Sequence, residues 1–434
     1  MRIKASDVAR VCGGTLVGPD RGADGLWFDT RTIGSGRAFV AVVAERDGHG
    51  HVAAARDAGA PFAIVGRGRS LEGFTCVETD DTVGALAVLA SWCRDRLSCP
   101  VVAITGSAGK TSTKNLVAAV LAGSIANVHA AEASLNNDIG VPVTIINAPE
   151  DAGAVVIEMG MRGFGEIARL CAVARPTVGV VTNVGDAHGE RLGGPDGIAR
   201  AKAELVESIG PDGAVVLNAD DPRVDAMKAG LRCRVVTVGQ EPDCDVTWRV
   251  VATGDDGRVQ LAVNHRGEDA RCTPGLPGVH MAANAALAIG VATALGIGVA
   301  VAAGGVGAES AETGRMRWRT GVDGLRVLDD SYNANVASMT AALDTLATVE
   351  SRVRMAVLGR MAEVSDEAAS HRSVADHARA LGIVVVGLET DLYGTTGLSV
   401  DGAVEAVRTA GADLVLVKGS RSSRTERVAD LLVS

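Results

Sequence analysis

The sequence contains no hydrophobic run long enough to cross a membrane. Its apolar stretches extend over about 5 to 8 residues, whereas a spanning helix needs roughly 20. The first residues, MRIKASDVARVCGG, include no apolar segment after the basic ones and so lack the pattern of a secretory signal. Since 47% of the 434 residues are hydrophobic and 22% are charged, the composition is that of a globular protein. We therefore expect a cytoplasmic protein without a membrane span.

Paired cysteines are also missing. The eight cysteines are scattered without a CxxC pair or the spacing of a zinc site. In a reducing compartment this pattern is typical of buried thiols. We expect neither disulfides nor structural zinc.

A third absence is that of a basic cluster. The formal net charge is -10, and no long run of Lys and Arg occurs. Nucleic acids are bound by basic surfaces, so a nucleic-acid partner is not expected. An anionic ligand must then be held by a local site.

The length and the rhythm of apolar runs indicate a three-domain α/β protein. At roughly 150 residues per domain, the chain suggests three domains, which we place at 1–98, 99–310 and 311–434. The first combines short β-rich runs with the helical stretch HVAAARDAGA. The other two alternate apolar strands with helices, which predicts parallel sheets covered on both faces, the last one doubly wound. Strands are expected in LWFDTR, AFVAVV, PFAIVG, VVAITG, AVVIEMG, VGVVTNVG, AVVLNADD, RVLDDS, MAVLGR, IVVVGL and LVLVKGS.

The segment VVAITGSAGKTSTKNLVAAVLA predicts a nucleotide site. It runs from a buried strand through a Gly-containing turn into a helix, where backbone N–H groups and the helix dipole can bind phosphates. Lys110 would contact the outer phosphates, and Thr111 would place its hydroxyl on Mg²⁺. The strict GxxxxGK[ST] pattern fails because Ile104 occupies its first glycine position, and the alternative is a turn that merely starts a helix. We predict an ATP-binding loop formed by Gly106, Ser107, Ala108, Gly109, Lys110, Thr111 and Ser112.

Polar residues follow other predicted strands of the central sheet. Ligands bind beyond the carboxyl ends of parallel strands, and Glu158, Asn183 and the nearby His188 lie at such ends. All three could face the phosphates and a metal beside Thr111, since Mg²⁺ prefers oxygen ligands and accepts imidazole less often. Taken singly, a solvated Glu and a surface His are equally good interpretations.

A lysine lies at the edge of an apolar helical stripe. In GIARAKAELVESIG the stripe consists of Ile198, Ala201, Leu205 and Ile209, with Lys202 at its boundary. Spacing alone favours a lysine that reaches solvent from the edge of a buried face. The alternative is a partly desolvated lysine with a lowered pKa, whose neutral amine could react with CO₂ to give a carbamate.

Several motifs together resemble the Mur ligase family. They span nearly the whole chain, in the order TGSAGKTS, NNDIGVP, VIEMG, GDAHGERLGGPDGIARAKAE, LNADDP, GVHMAANAALA, GRM, DDSYNAN and VKGS. The resemblance implies an N-terminal domain for a uridine nucleotide, a central P-loop ATPase domain with a parallel sheet, and a C-terminal Rossmann-like domain that closes over ATP and the amine. DGH in the first module, NNDIGVP, DDSYNAN and VLGRMAEV are most similar to the members that add D-alanyl-D-alanine to UDP-N-acetylmuramoyl-tripeptide.

The resemblance also implies roles for individual residues. Lys110, Lys202, His188, Arg315 and Asp330 would be the catalytic groups. The expected metal ligands are Thr111, Glu158, His188 and Lys202, the last as a carbamate, which reverses the preference drawn from spacing. Asn284, in an HxxxN arrangement with His280, would lie beside adenine, and Arg315 and Asp330 would reach the nucleotide. The uridine-diphosphate end would be lined by Thr30, Arg31, Asp47, Gly48 and His49, with Asn136 and Asn137 near the peptide.

The implied activity is that of an ATP- and Mg²⁺-dependent amide ligase. It would join D-alanyl-D-alanine to UDP-N-acetylmuramoyl-tripeptide through an acyl phosphate, in the synthesis of cell-wall precursors that support cell shape and division. We expect the enzyme to work as a monomer. The sequence does not distinguish lysine from diaminopimelate as the third residue of the peptide.

Three departures from the family pattern keep alternatives open. Met281 replaces a common Asn, Val336 replaces the proline that ends DDSYNANP, and Arg360 replaces an acidic residue of LGDM. The last is near the expected amine site, so one rival is a Mur-type ligase for a different amine. The DNPR motif of the diamino-acid-adding members is absent. A second rival, a catalytically idle nucleotide-binding scaffold, would not need the predicted metal set.

Overall fold

The computed structural model describes residues 1–43, 47–132, 134–185, 192–309, 312–321, 324–362 and 364–434. Their strands form four sheets, each built from one continuous part of the chain. The α/β fold class is therefore confirmed. The boundaries at 98/99 and 310/311 fall between these sheets and stay a prediction. In the part of the chain that the structure describes, no helix is both long and apolar enough to span a bilayer.

The N-terminal part forms two small sheets. In the larger sheet the order is β2-β7-β6-β5-β4, with β2 antiparallel to β7 and the other neighbours parallel, while β1 and β3 pair antiparallel. The elements are β1 (Arg2–Lys4), α1 (Ala5–Val11), β2 (Thr15–Val17), β3 (Gly22–Asp24), β4 (Leu26–Trp27), β5 (Ala38–Val40), a 3₁₀ turn (Gly48–His51), α2 (Val52–Asp57), β6 (Ala63–Gly66), β7 (Cys76–Thr79) and α3 (Thr82–Arg94).

The central part forms one nine-stranded sheet in the order β16-β15-β14-β13-β12-β11-β8-β10-β9. The strands are β8 (Val101–Thr105), β9 (Val128–Ala130), β10 (Ala154–Glu158), β11 (Val178–Val181), β12 (Ala214–Asn218), β13 (Arg234–Gly239), β14 (Val246–Thr253), β15 (Val259–His265) and β16 (Glu268–Cys272). The helices are α4 (Lys110–Ala122), α5 (Gly140–Asn147), α6 (Glu166–Ala174), α7 (Pro195–Glu207), α8 (Pro222–Asp225), α9 (Val279–Ala294) and α10 (Val299–Gly305), with a 3₁₀ turn at Ala226–Lys228.

This sheet is parallel from β9 to β14, as predicted, but β14, β15 and β16 pair antiparallel. The antiparallel edge lies outside the apolar runs from which the parallel sheet was predicted. In β15 buried and part-exposed residues alternate, which is the pattern of a strand with one solvated face. By contrast β8 and β10 are buried throughout.

The C-terminal part forms a five-stranded sheet in the order β17-β18-β21-β19-β20. All neighbours are parallel except the edge strand β17, which agrees with the predicted doubly wound unit. The elements are β17 (Arg317–Thr320), β18 (Arg326–Asp330), α11 (Val336–Thr348), β19 (Arg354–Leu358), α12 (Glu367–Ala380), β20 (Val384–Gly387), α13 (Val400–Thr409), β21 (Leu414–Lys418), a 3₁₀ turn (Arg421–Ser423) and α14 (Glu426–Val433).

The hydrophobic cores do not follow the four sheets one to one. One cluster of buried side chains is continuous from Met1 to Leu205 and joins the N-terminal part to one face of the central sheet. The Asn147 side chain at the end of α5 strengthens this junction, because it accepts from the Leu26 N–H at 2.8 Å and donates to the Leu26 carbonyl at 3.1 Å. The C-terminal sheet has two clusters of its own. All eight cysteines are free thiols, and six of them are buried.

Candidate active site

The predicted phosphate loop connects β8 to α4. Gly109 precedes the helix with φ of 79°, in the left-handed region that glycine tolerates best. At Gly106 the requirement is space, since a Cβ there would lie 1.8 Å from Thr182 Oγ1. The Lys110 ammonium donates to the Gly106 carbonyl at 2.8 Å, which holds it across the loop. The strand, loop and helix predicted for an anion site are therefore all present.

The neighbouring strand end braces this loop. Thr182 Oγ1 donates to the Ala108 carbonyl at 2.6 Å. The Asn183 side chain accepts from the Ala108 N–H at 2.9 Å and donates to the Ala108 carbonyl at 3.1 Å. Ser107 Oγ accepts from the Gly185 N–H at 2.9 Å. Asn183, predicted to face the phosphates and metal, instead uses both amide atoms to fix the backbone of the loop.

Thr111 and Glu158 form the part of the site that fits a divalent cation. The Thr111 hydroxyl donates to Glu158 Oε2 at 2.8 Å, and Asn136 Nδ2 donates to Glu158 Oε1 at 2.7 Å. The Glu158 carboxylate is 1% exposed, and no described cation pairs with it. A buried carboxylate without a counter-ion is costly, and carboxylate and hydroxyl oxygens are ligands that Mg²⁺ prefers.

Two further residues, His188 and Lys202, are predicted metal ligands. His188 lies outside the described residues. Lys202 lies on α7 and is 3% exposed, so the interpretation as a lysine reaching solvent is wrong. Burial, with a smaller contribution from the positive charge of Lys110, holds the pKa of the Lys202 amine well below its usual range. No group of three His, Cys, Asp or Glu arranged for a metal occurs among the described residues.

Arg315 brings the segment before the C-terminal sheet to the phosphate loop. Its Nη2 donates to Ser134 Oγ at 2.9 Å, and Ser134 Oγ lies 3.2 Å from Thr111 Oγ1. Its guanidinium carbon lies 4.1 Å from the centre of the Tyr332 ring. The Nε–H is buried and has no hydrogen-bond acceptor among the described residues. A buried unsatisfied donor on a cation is suited to an anionic oxygen.

Asp330, at the end of β18, fixes the backbone next to Arg315. Its Oδ1 accepts from the Met316 N–H at 3.1 Å, and its Oδ2 pairs with Lys418 Nζ at 2.5 Å. Lys418 also donates to the Asn333 carbonyl at 2.9 Å. The motif VKGS did not by itself assign a role to Lys418. The feature that could have identified it as a functional residue is its position at the end of a fully apolar strand.

Asn284 lies on α9 against the other side of the phosphate loop. It is 6% exposed, and its Oδ1 would be 2.8 Å from a Cβ at Gly109. Asn284 is thus placed beside the loop.

One turn earlier on α9, His280 lines a cavity of 130 Å³ between the central and C-terminal parts, together with Gly278, Asp344 and other residues. Desolvation lowers the pKa of His280 to about 4.

The predicted uridine-diphosphate residues form a separate polar cluster near β5 and β6. Asp47 Oδ1 accepts from the His49 N–H at 3.0 Å and contacts His49 Nδ1 at 2.5 Å. His49 Nε2 accepts from the Gly66 N–H at 2.8 Å, which leaves Nδ1 as the ring nitrogen that donates to Asp47. The histidine hydrogen bonds lower the pKa of Asp47 to about 2.

The remaining predicted binding residues lie as follows. Gly48 packs against the backbone of Val42, where a Cβ would be 2.6 Å from the carbonyl oxygen. Arg31, beside Thr30, pairs with Asp29 at 2.6 Å. Asn137 accepts from the N–H groups of residues 139 and 140 at the start of α5, whereas Asn136 reaches the cation pocket.

Comparison with known sequences gives matches over most of the chain. Residues 104–292 match the Mur ligase middle domain, and residues 314–421 match a domain described as Mur ligase, glutamate ligase domain. The UDP-N-acetylmuramoyl-tripeptide–D-alanyl-D-alanine ligase of Mycobacterium tuberculosis strain H37Rv is 33% identical, with 100% of this chain and 98% of the relative covered. The enzyme of the same name from Escherichia coli K12 is 32% identical, with coverage of 99% and 98%.

Solved structures resemble the whole fold. A MurF crystal structure from Acinetobacter baumannii superposes with a TM-score of 0.86 at 25% identity, covering 100% of this chain and 99% of that one. A MurF ligase from Thermotoga maritima in complex with ADP gives a TM-score of 0.80 at 25% identity, covering 94% and 96%. The similarity therefore extends across all the sheets.

Proposed function

The chain belongs to the Mur ligase family, and on this premise we propose that it adds D-alanyl-D-alanine to UDP-N-acetylmuramoyl-tripeptide at the expense of ATP. Relatives that cover nearly the whole chain carry this activity in their names. The reaction forms an amide bond in peptidoglycan precursor synthesis. A cytoplasmic location, a monomeric state and the domain boundaries at 98/99 and 310/311 belong to the same proposal.

The observation that carries the proposal is the meeting of Arg315 with the phosphate loop. Through Ser134, an arginine from the segment before the C-terminal sheet comes within two contacts of the Thr111 hydroxyl. A nucleotide in this loop would place its outer phosphate between Lys110 on one side and Arg315 on the other. Two cations on opposite sides of a phosphoryl group are suited to stabilise the charge of its transfer.

In the first half of the reaction, the terminal carboxylate of the peptide attacks the γ-phosphate of ATP. Lys110, already held across the loop by the Gly106 carbonyl, and the unsatisfied Nε–H of Arg315 bind the phosphoryl oxygens as charge moves onto the ADP leaving group. The products are ADP and an acyl phosphate. Asp330 keeps the backbone of Arg315 in place through the Met316 N–H.

Mg²⁺ would be held by Thr111 and Glu158 and, by the motif match, by His188 and a carbamate on Lys202; when bound, it supplies positive charge that neutralises the phosphates. The buried carboxylate of Glu158, which pairs with no cation in the described part of the chain, supports a cation at this position. The depressed pKa of Lys202 supports the carbamate, because only the neutral amine reacts with CO₂. A carbamate would also replace a buried amine beside Lys110 by an anion that a metal can use.

In the second half, the amine of D-alanyl-D-alanine attacks the acyl carbon, and the tetrahedral intermediate collapses to the amide and phosphate. Little covalent work falls on the protein, so its contribution is orientation and exclusion of water. Asn284 would support the adenine side of the nucleotide. The Asp47 and His49 cluster, with Thr30, Arg31 and Gly48, would hold the uridine diphosphate, and Asn136 and Asn137 would lie near the peptide.

The decisive test supplies the purified protein with ATP, Mg²⁺, UDP-N-acetylmuramoyl-tripeptide and a panel of amines, and follows phosphate release and product mass. We expect phosphate and a pentapeptide product with D-alanyl-D-alanine. Lys110→Ala should abolish turnover, whereas Lys228→Ala, which removes an exposed lysine paired with Asp225, should not. Turnover with a different amine would refute D-alanyl-D-alanine as the acceptor. An inactive wild-type protein would support the rival interpretation as a catalytically idle nucleotide-binding scaffold.

Two of the three sequence departures, Arg360 and Val336, lie in the C-terminal part and are accommodated by local contacts. The Arg360 side chain is paired with the Glu367 carboxylate at the start of α12, so its charge is already compensated within the C-terminal part. Val336 is the first residue of α11, after a capping box made by Asn335 and Ser338. Proline is favoured at this position but is not needed when the cap is complete.

A further inference from the structure

Five side chains around the phosphate loop form a chain of polar contacts, and helix α4, which carries both ends of the chain, closes it into a ring. Thr111 and Lys114 lie three residues apart on α4, and therefore on one face of the helix. Thr111 contacts Ser134 at 3.2 Å, and Ser134 accepts from Arg315 at 2.9 Å. Arg315 Nε lies 3.5 Å from Glu312 Oε2, and Glu312 Oε1 pairs with Lys114 Nζ at 3.1 Å. The ring ties the segment before the C-terminal sheet to the helix that carries the phosphate loop.

Glu312 is the bridge in this ring because its two oxygens face different partners. Oε1 accepts from Lys114 and from Asn115 Nδ2, at 3.1 and 3.3 Å, and both donors are on α4. Oε2 faces Arg315. A single carboxylate therefore restrains the position of Arg315 relative to the helix that carries Lys110 and Thr111.

Lys114 is the anchor of the bridge. Its side chain is 1% exposed, and its ammonium also donates to the Ala131 carbonyl at 2.8 Å. A buried ammonium is tolerated only where charged and polar partners surround it. Glu312, 21% exposed, is thus held from a fixed point in the interior, while a solvent-exposed lysine would leave it mobile.

We propose that Glu312, anchored by Lys114, is a positioning residue that orients Arg315 over the phosphate site during phosphoryl transfer. The inference rests on the proposed function, since it assigns a partner to the arginine that acts on the γ-phosphate. Its 3.5 Å separation from Nε is too long for a hydrogen bond, so Glu312 restrains the guanidinium without occupying the donor that the phosphate needs. Neither Glu312 nor Lys114 touches the reacting atoms.

The test uses acyl-phosphate formation, trapped with hydroxylamine as the peptide hydroxamate in the absence of amine, together with steady-state kinetics. Glu312→Gln keeps the shape of the side chain but loses its charge. We expect kcat to fall on the order of 10- to 100-fold, the range for a misplaced catalytic group, with KM for ATP changed by less than about twofold. Glu312→Asp should recover part of kcat.

Two comparisons separate positioning from a merely structural role. Glu309→Gln is the matched control, because Glu309 is a nearby carboxylate that accepts from the Gly275 and Gly307 N–H groups; it should leave kcat unchanged. In an Arg315→Ala background, Glu312→Gln should cost nothing further, since it acts through the arginine.

An additive loss in the double variant, or a Glu312→Gln protein as fast as wild type, would overturn the positioning role. Failure of the wild-type protein itself to form the hydroxamate would instead refute the proposed function.

Discussion

Replacing Glu158 by Gln should make the apoprotein more stable while removing its activity. The carboxylate is 1% exposed and accepts hydrogen bonds from Thr111 and Asn136. Gln can keep both contacts, because its oxygen can accept from Asn136 while its NH₂ donates to the Thr111 hydroxyl, which can turn toward Ser134. What disappears is a buried negative charge that has no cationic partner among the described residues.

The magnitude follows from that charge. Relief of an uncompensated buried charge contributes about 1–3 kcal/mol. In a cooperative unit of roughly 300 residues, with an unfolding entropy of about 2.1 cal/mol/K per residue, each kcal/mol moves Tm by about 1.6 °C. We therefore expect Glu158→Gln to raise Tm of the metal-free protein by about 2–5 °C. Turnover should fall by about 100-fold or more, since a neutral amide is a poor ligand for Mg²⁺.

Thermal unfolding with and without Mg²⁺ and ATP checks the predicted rise in Tm and the loss of cation binding, and a turnover assay checks the loss of activity. The wild-type protein should gain stability on adding the ligands, whereas Glu158→Gln should gain little. Glu204→Gln is the control of opposite sign, because the Glu204 carboxylate accepts from two backbone N–H groups and a Gln must leave one unsatisfied; it should lose stability and keep activity. A Glu158→Gln protein that is less stable than wild type, or still active, would contradict the cation pocket.

Three further predictions concern single residues. Gly109→Ala should raise KM for ATP and cost about 1–3 kcal/mol of stability, because the backbone there has a positive φ. The control is Gly267→Ala: Gly267 has a similar φ of 85° but open space around it, so the variant should lose stability without a change in KM for ATP. The unfolded His280 ring takes up a proton below its ordinary pKa of 6.5, whereas the folded ring resists protonation until about 4. Its contribution is therefore complete above pH 6.5 and falls by up to about 3 kcal/mol between pH 6.5 and 4, and a pH series of unfolding curves should be flatter for His280→Gln. Wild-type turnover should drop in CO₂-depleted buffer and return with bicarbonate, while Lys202→Ala should be inactive in both; full activity of Lys202→Ala would refute the carbamate.

Local pattern was enough to predict the phosphate loop and the strands that are continuous apolar runs, but not the short strands β1–β3 or the strands β13–β16. Continuous apolar runs such as VVAITG and AVVIEMG are the buried strands β8 and β10, because a strand covered on both faces has no polar side to reveal. The position of Glu158 beside Thr111 could also be predicted, because a charged residue that ends such a strand points beyond the sheet, toward the phosphate loop. The stripe around Lys202 is buried as predicted.

Contacts between distant parts of the chain were out of reach of local pattern. Glu312 meets Lys114 across 198 positions, and Lys418 meets Asp330 across 88. Nothing in either local sequence specifies the partner. Asn183 was misinterpreted for a related reason, since the strand end was predicted but the side chain faces the backbone of Ala108 instead of a ligand. The antiparallel edge formed by β14 to β16 depends on exposure of one face, which the apolar runs alone do not report.

The hydrophobic cluster that runs from Met1 to Leu205 makes the N-terminal part thermodynamically inseparable from the central sheet. Its helix α3 packs on α5 and α6, and Arg94 and Arg175 donate to carbonyls on opposite sides of the junction. A fragment beginning near residue 99 would expose part of that core and should not fold as a free-standing unit. By contrast, the C-terminal sheet, with its own clusters, should melt as a separate cooperative block. Exchange of parts between homologues should accordingly succeed at the C-terminal junction and fail at the N-terminal one.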